Sequence, residues 1–307
     1  MKSILGLGLA ILFCGVSDKA LAERRTSDNF HADADVVLVN ATVLDGHDRP
    51  VRGLTRNDFQ IYEDKAMQNI AYFSEEETPL SLAVIFDVSG SMQGKMAGMR
   101  SALDAVLQSA NTQDEFSLIT FADQPAVAAS WTPNPEEIQS RLLQASAHGQ
   151  TSLLDALETG LATMKHARNA RKAMLIFSDG GDNHSRATER ELMRSLAEAG
   201  VQIYAVDTIE PLFFRQLSPE EIIGPDLLER LSEHAGGRYF QVNGKRDLAA
   251  TAEQISRELR SQYVLGYVPA GDAKDGRFHP VRVQVGRKEG MPKISVFSRP
   301  GYRATGE

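Results

Sequence analysis

The rhythm of apolar and polar positions changes twice along the chain. Between residues 34 and 78 it is the rhythm of short strands. "DVVLVNATVLDGHDRPV" has strand composition and partial alternation, broken by turn residues at Asp45-Gly46 and Arg49-Pro50. "FQIYED" and "QNIAYFSE" predict two more strands around a turn near Lys65, and Leu54 to Asp58 reads as one helical turn capped by Thr55. From Leu80 the pattern becomes strand, helix, strand. "LSLAVIF" is a continuous apolar run, as a strand covered on both faces requires. Met96, Met99, Leu103, Val106 and Leu107 then recur at helical spacing within 94–110. Further strands are predicted at "EFSLITFA", at a shorter "AVAASW", and at "KAMLIFSD", "VQIYAVD" and "RYFQV". Helices are predicted over about 135–146, 152–168, 188–199, 226–235 and 245–260, with Pro135 at a tolerated early position and Gly200 as a left-handed cap. After residue 260 the helical period stops, and "SQYVLGYVP", "RFHPVRVQVG" and "KISVFSRPGY" predict strands again.

Strand–helix alternation sustained over ~180 residues predicts an α/β fold, with a doubly wound, mostly parallel sheet and helices on both faces. Neither the strands before it nor those after it would bury enough apolar surface alone. The expectation is therefore one small β-sandwich built from both ends of the chain: an N-terminal β region (34–78), an inserted α/β domain (79–260) and a C-terminal β region (261–304) that pairs with the first.

The first 22 residues stand apart. Lys2 precedes an apolar run from Ile4 to Val16, and Ala20-Leu21-Ala22 is a small-residue cleavage pattern followed by Glu23. This reads as a secretory signal peptide (1–22) cut after Ala22, which places the mature chain in the periplasm or the medium. The run is shorter than the ~20 residues a spanning helix needs, and no other segment is apolar enough to cross a bilayer. The only cysteine, Cys14, lies inside that run, and bulky Phe13 precedes it where a lipoprotein signal wants a small residue. The mature chain must then fold in an oxidising compartment without disulfides. A net charge of −8 leaves no dominant basic face, which argues against a nucleic-acid partner.

Candidate chemistry concentrates in "LAVIFDVSGSMQGKM", residues 82–96. Gly94-Lys95 could close a phosphate-binding loop, but the position of its first Gly holds Ser89 and that of its final hydroxyl holds Met96. A nucleophile elbow needs Gly two residues on either side of a Ser; Asp87 stands before Ser89, and Gln93 after Ser91. Asp87, Ser89 and Ser91 instead recur with period two at a strand end, where a turning chain can aim several oxygens at one point. Asp179, ending the "KAMLIFSD" strand, can add a second carboxylate, and in such sheets ligands sit at the carboxyl ends of strands where strand order reverses. Carboxylates and hydroxyls without His or Cys suit a hard cation such as Mg²⁺ and argue against zinc.

This pattern resembles the von Willebrand factor type A (VWA) domain with its metal-ion-dependent adhesion site. That family carries D-x-S-x-S after its first strand, a Thr in a later loop and an Asp after its fourth strand. Here those elements are Asp87-Val88-Ser89-Gly90-Ser91, Thr151 in "HGQTSLLDAL" and Asp179 in "FSDGGD". The resemblance covers about residues 79–260, and the flanks "GLTRNDFQIYED" and "YVLGYVP…GRFHPVRVQV…RPGYRA" look like those of a bacterial secreted subgroup. It implies that Ser89 and Ser91 ligate Mg²⁺ (or Mn²⁺ or Ca²⁺) directly. Thr151, Asp87 and Asp179 would bind directly or through water. The remaining position would take an acidic side chain of a protein partner. The implied function is a protein-binding module of adhesion or assembly, not an enzyme; a metal-assisted hydrolase using the same oxygens is the alternative.

Other residues carry weaker signals. Leu212, Phe213 and Phe214, in an expected loop over 208–225, read either as an exposed contact surface or as a local plug beneath the rim. Asp182 reads as an outer partner of the site or a loop cap, and Trp131 as core.

Overall fold

The structure, a computed structural model, describes residues 36–75, 78–208, 218–242, 244–270, 275–286 and 293–304. The expected signal peptide and Leu212, Phe213 and Phe214 lie outside the described residues.

The N-terminal region contributes β1 (Val37–Asp45), β2 (Phe59–Glu63), β3 (Ala66–Gln68) and β4 (Ile70–Ser74). Before β2, a single 3₁₀ turn (Arg56–Asp58) is closed as the sequence predicts: the Thr55 N–H and hydroxyl both donate to Asp58 Oδ2, at 2.8 and 2.9 Å. The α/β block follows as β5 (Leu80–Asp87), α1 (Met96–Leu107), β6 (Glu115–Phe121), β7 (Pro125–Thr132), α2 (Pro135–Leu143), α3 (Leu153–Met164), β8 (Arg171–Phe177), α4 (Glu189–Ala199), β9 (Gln202–Thr208), α5 (Pro219–His234), β10 (Arg238–Val242) and α6 (Lys245–Arg260). The chain ends in β11 (Gln262–Tyr267), β12 (Phe278–Val285), β13 (Ile294–Ser298) and β14 (Gly301–Arg303).

The central sheet runs β10-β9-β8-β5-β6-β7, parallel except for the antiparallel edge strand β7. Every residue of β5 is buried, as its unbroken apolar run requires. One face packs on α1, α2 and α6 through residues such as Met99, Leu103, Ile138 and Ile255. The other packs on α3, α4 and α5 through residues such as Leu157, Leu192 and Leu228. Gly200 takes the left-handed cap of α4 (φ 61°), and Thr188 closes a capping box with Glu191 at its start.

The N- and C-terminal strands interleave in two antiparallel sheets, β13-β1-β11-β4 and β14-β12-β2-β3. Val39, Ala41 and Leu265 of the first meet Ile61, Val281 and Val283 of the second in one apolar core. Each sheet therefore takes strands from both ends of the chain, which is why neither end could form it alone.

Four local readings need correction. "QNIAYFSE" is not one strand: Asn69 separates β3 from β4, and the two belong to different sheets. "KISVFSRPGY" likewise divides at Arg299-Pro300 into β13 and β14, because proline has no N–H for a ladder and the chain changes sheets there. β7 is eight residues long, no shorter than its seven-residue neighbour β6, because it also takes in Pro125 and Thr132. Helix α5 begins at Pro219, not near 226, and carries Pro225 inside it. The Pro-Glu-rich stretch reads as loop because an internal proline removes a helical hydrogen bond. Pro219 at the helix start is nevertheless favourable.

Candidate metal centre

Strand order reverses between β5 and β8: from β5 the chain moves outward through β6 and β7, and from β8 it moves the other way through β9 and β10. Helices leave the sheet on opposite faces at such a point, so a crevice opens at the carboxyl ends of the two strands. Asp87 ends β5, and Ser178 and Asp179 directly follow β8.

Asp87 is fully buried and held from two sides. Its Oδ1 accepts the Ser89 backbone N–H at 2.8 Å, and its Oδ2 accepts the Ser178 hydroxyl at 2.6 Å. Ser89 is extended and precedes a 3₁₀ turn (Gly90–Met92) that carries Ser91, so the two hydroxyls lie 3.1 Å apart. Ser89 is buried and Ser91 half-buried. The period-two spacing read from sequence thus places three oxygen-bearing side chains along one turn.

Thr151, also buried, stands just before α3 in a loop that backbone hydrogen bonds tie to both neighbours. Gly90 N donates to Gly149 O at 3.0 Å and His148 N to Val88 O at 2.8 Å, joining it to the Asp87 loop. Asn183 N and His184 N both donate to Thr151 O at 3.0 Å, and Asn183 Oδ1 accepts Thr151 N at 2.9 Å, joining it to the Asp179 loop. Asp123 supports the same loop from outside by accepting Gln150 N at 2.8 Å. The structure therefore brings together the three loops that carry the five predicted residues.

Asp179 is buried too, and it is the member of this constellation left with an unsatisfied oxygen. Its Oδ2 accepts Lys95 Nζ at 3.0 Å, while its buried Oδ1 has no hydrogen-bond partner among the described residues. A buried carboxylate oxygen without a donor is costly unless something positive reaches it. Burial, and then the nearby Asp179 carboxylate, push Asp87 up to about 7 against the pull of its Ser178 and Ser89 hydrogen bonds. Asp207, at the end of β9, joins the group: burial pushes it up to about 6, opposed by the Tyr239 hydroxyl, which donates to its Oδ2 at 3.0 Å, and by Lys95. Asp182 caps its own loop by accepting Ser185 N at 3.3 Å, and burial raises its carboxyl.

Residues 82–181 match the sequence profile described as the von Willebrand factor type A domain. The chain carries a VWA domain. Among solved structures, a von Willebrand factor type A protein from Catenulispora acidiphila is similar over 90% of this chain and 76% of its own, with TM-score 0.52 and 12% identity, which speaks to fold alone. BatB, a conserved hypothetical protein from Bacteroides thetaiotaomicron, is similar over 59% of this chain and all of its own (TM-score 0.47, 16% identity). The vWF domain of the type V pili tip protein Mfa5 from Porphyromonas gingivalis is similar over 59% of this chain and 95% of its own (TM-score 0.47, 10% identity). No curated protein matches the chain. Among the described residues, no helix of the VWA domain or its flanking sheets is long and apolar enough to cross a membrane.

Sequence reasoning missed three members of this crevice in the VWA domain. Asp207 ends a predicted buried strand just as Asp87 does, so the strand-end rule that found Asp87 could have found it. Ser178 lies one residue before Asp179, and its role depends on the register of β5 with β8, Phe86 opposite Phe177. Lys95 gave no local signal: its approach to Asp179 spans 84 residues of sequence.

Proposed function

We propose that this VWA-domain protein is a secreted or periplasmic protein-binding module that presents a divalent cation, Mg²⁺ before Mn²⁺ or Ca²⁺, held by Asp87, Ser89, Ser91, Thr151 and Asp179. The observation that carries the reading is the buried Oδ1 of Asp179, without a partner among the described residues, in a crevice whose other candidate donors are oxygens. Hard cations take such oxygens and keep part of their water. A divalent ion would also relieve the repulsion between Asp87 and Asp179, which share a buried space. Neutral hydroxyl ligands leave the ion electrophilic, so an acidic side chain of a partner protein is the ligand class it would attract. The leader sequence, with its cleavage pattern at Ala22, supports export.

Thermal unfolding with and without cation tests this. A ligand bound only by the folded state raises Tm, and the rise grows with the logarithm of its concentration above Kd. MgCl₂ at millimolar concentration should raise the Tm of the wild type and leave Asp87→Ala and Asp179→Ala variants, each checked for folding by circular dichroism, unmoved. A wild type with no response to Mg²⁺, Mn²⁺ or Ca²⁺ would remove the cation from the account. A pull-down from envelope extract, Mg²⁺ against EDTA, then tests whether a protein partner depends on the ion.

A further inference from the structure

Lys95 stands at the head of α1, in the crevice between the Asp87 and Asp179 loops. Its ammonium lies 3.0 Å from Asp179 Oδ2, and the two side chains are only 11% and 9% exposed. It also acts electrostatically on Asp207, so one cation serves two acidic groups, Asp179 and Asp207. The Lys95 backbone is fixed independently of that ion pair. Lys95 N donates to Met92 O at 3.0 Å, Lys95 O accepts Met99 N at 3.1 Å, and Gly94 turns the chain with φ 92°. Only the flexible four-carbon stem needs to move for the ammonium to leave.

We propose that Lys95 is a tethered counter-charge that occupies Asp179 in the cation's stead, so that a divalent cation binds only as the Lys95 ammonium withdraws from the crevice. The inference rests on the cation reading above and adds a competitor built into the chain. Two positive groups within reach of one buried carboxylate repel each other strongly in a medium of low polarity. The tether offers Asp179 a hydrogen-bonded partner before any ion arrives, so the VWA domain does not depend on the cation to fold. The same pair weakens cation binding, and by linkage the cation weakens the pair by the same factor. Withdrawal would bring a primary amine to the rim where an acidic partner docks. The site would then present two positive groups in place of none.

Two measurements on the purified full chain test this. The first uses the wild type alone: acylation of lysines by an amine-reactive ester, read by peptide mass spectrometry across a MgCl₂ titration, with exposed Lys65 as internal reference. Modification of Lys95 should be slow without Mg²⁺ and rise on the order of tenfold at saturation, with Lys65 unchanged. The second is calorimetric titration of Mg²⁺ into wild type, Lys95→Met and Lys95→Arg. Lys95→Met removes the charge and keeps the stem, and should bind Mg²⁺ roughly tenfold tighter; Lys95→Arg should stay near wild type. If Mg²⁺ raises Tm but Lys95 stays protected and Lys95→Met binds no tighter, the competitor is wrong and the cation site stands. If neither wild type nor Lys95→Met responds to Mg²⁺, both readings fall. Should Lys95→Met fail to fold, the acylation result alone decides.

Discussion

The Ser178 hydroxyl donates to Asp87 Oδ2 at 2.6 Å, joining the carboxyl ends of two neighbouring parallel strands across the sheet's switch point. Ser178 Oγ in turn accepts Gly180 N at 3.0 Å, so one side chain fixes both the Asp87 carboxylate and the turn that follows Asp179. A hydrogen bond to a buried acid contributes more than an exposed one, because the acid has no water to replace it. Ser178→Ala should cost about 2 kcal/mol in urea unfolding, and it should weaken the Mg²⁺-induced rise in Tm. A loss below about 0.5 kcal/mol would mean that Asp87 finds another donor.

Gly180 is the turn itself. Its φ of +77° is in the left-handed region, and a Cβ there would collide with the backbone of Gly224 in α5. Either fault alone destabilises, and together they should make Gly180→Ala cost about 2–4 kcal/mol. Chemical denaturation measures the cost. Gly181→Ala is the control, since a Cβ there meets nothing closer than 3.7 Å.

Arg171, at the start of β8, is 2% exposed. It donates to Thr78 O at 2.7 Å and to Leu259 O, where the α/β block enters and leaves the β-sandwich. Arg171→Met fills much of the same volume but strands those carbonyls, at roughly 1–3 kcal/mol for an unsatisfied buried group. The expected result is a lower urea midpoint with a preserved fold; an unchanged midpoint would show that water replaces the guanidinium.

His279 predicts a pH dependence away from the metal centre. It is buried against Tyr302, with Nδ1 2.8 Å from Asp64 Oδ2 and Nε2 3.0 Å from Asp275 Oδ1; Glu63 Oε1 lies 3.9 Å away. Burial pulls its pKa down, but the hydrogen bonds to Asp64 and Asp275 outweigh that and carry it above the ordinary imidazole value. A pKa raised by folding contributes stability that is complete below about 6.5, the unfolded value, and is lost as pH rises through the folded one. Asp275 is held well below the carboxylate range, first by the Arg277 backbone N–H and then by His279, so its contribution is present above about pH 4 and lost as pH falls through its folded value. His279→Gln should therefore lower Tm by a few degrees more at pH 6 than at pH 8.5. Equal losses at both pH values would show that the ring acts only by packing.

Much of the fold is legible locally. The apolar run of β5, the helical spacing of Met96 to Leu107, the Thr55 turn and the Gly200 cap are each set by residues within a few positions of one another. The predicted strands and helices of the α/β block appear in the predicted order. Apart from the length of β7, the errors fall where two sheets compete for the chain, at Asn69 and at Arg299-Pro300, and where a proline sits inside a helix, at Pro225. In each case a residue that is locally unfavourable or neutral is placed by contacts from far along the chain.

The candidate centre divides the same way. Asp87, Ser89 and Ser91 belong to one turn, so their spacing announces them; Asp179 is announced by the end of its own strand, and Thr151 alone takes its place from the family pattern. What sequence alone determined was which oxygens stand at strand ends, because burial of a parallel strand forces polar residues to its tips. Only the tertiary structure decided what faces them. The register of β5 with β8 puts Ser178 on Asp87, and the turn at Gly94 puts Lys95 on Asp179. Neither pairing has a sequence signal, because a hydrogen bond or an ion pair across 84 residues or more is set by how the strands pack and not by what lies beside them in the chain.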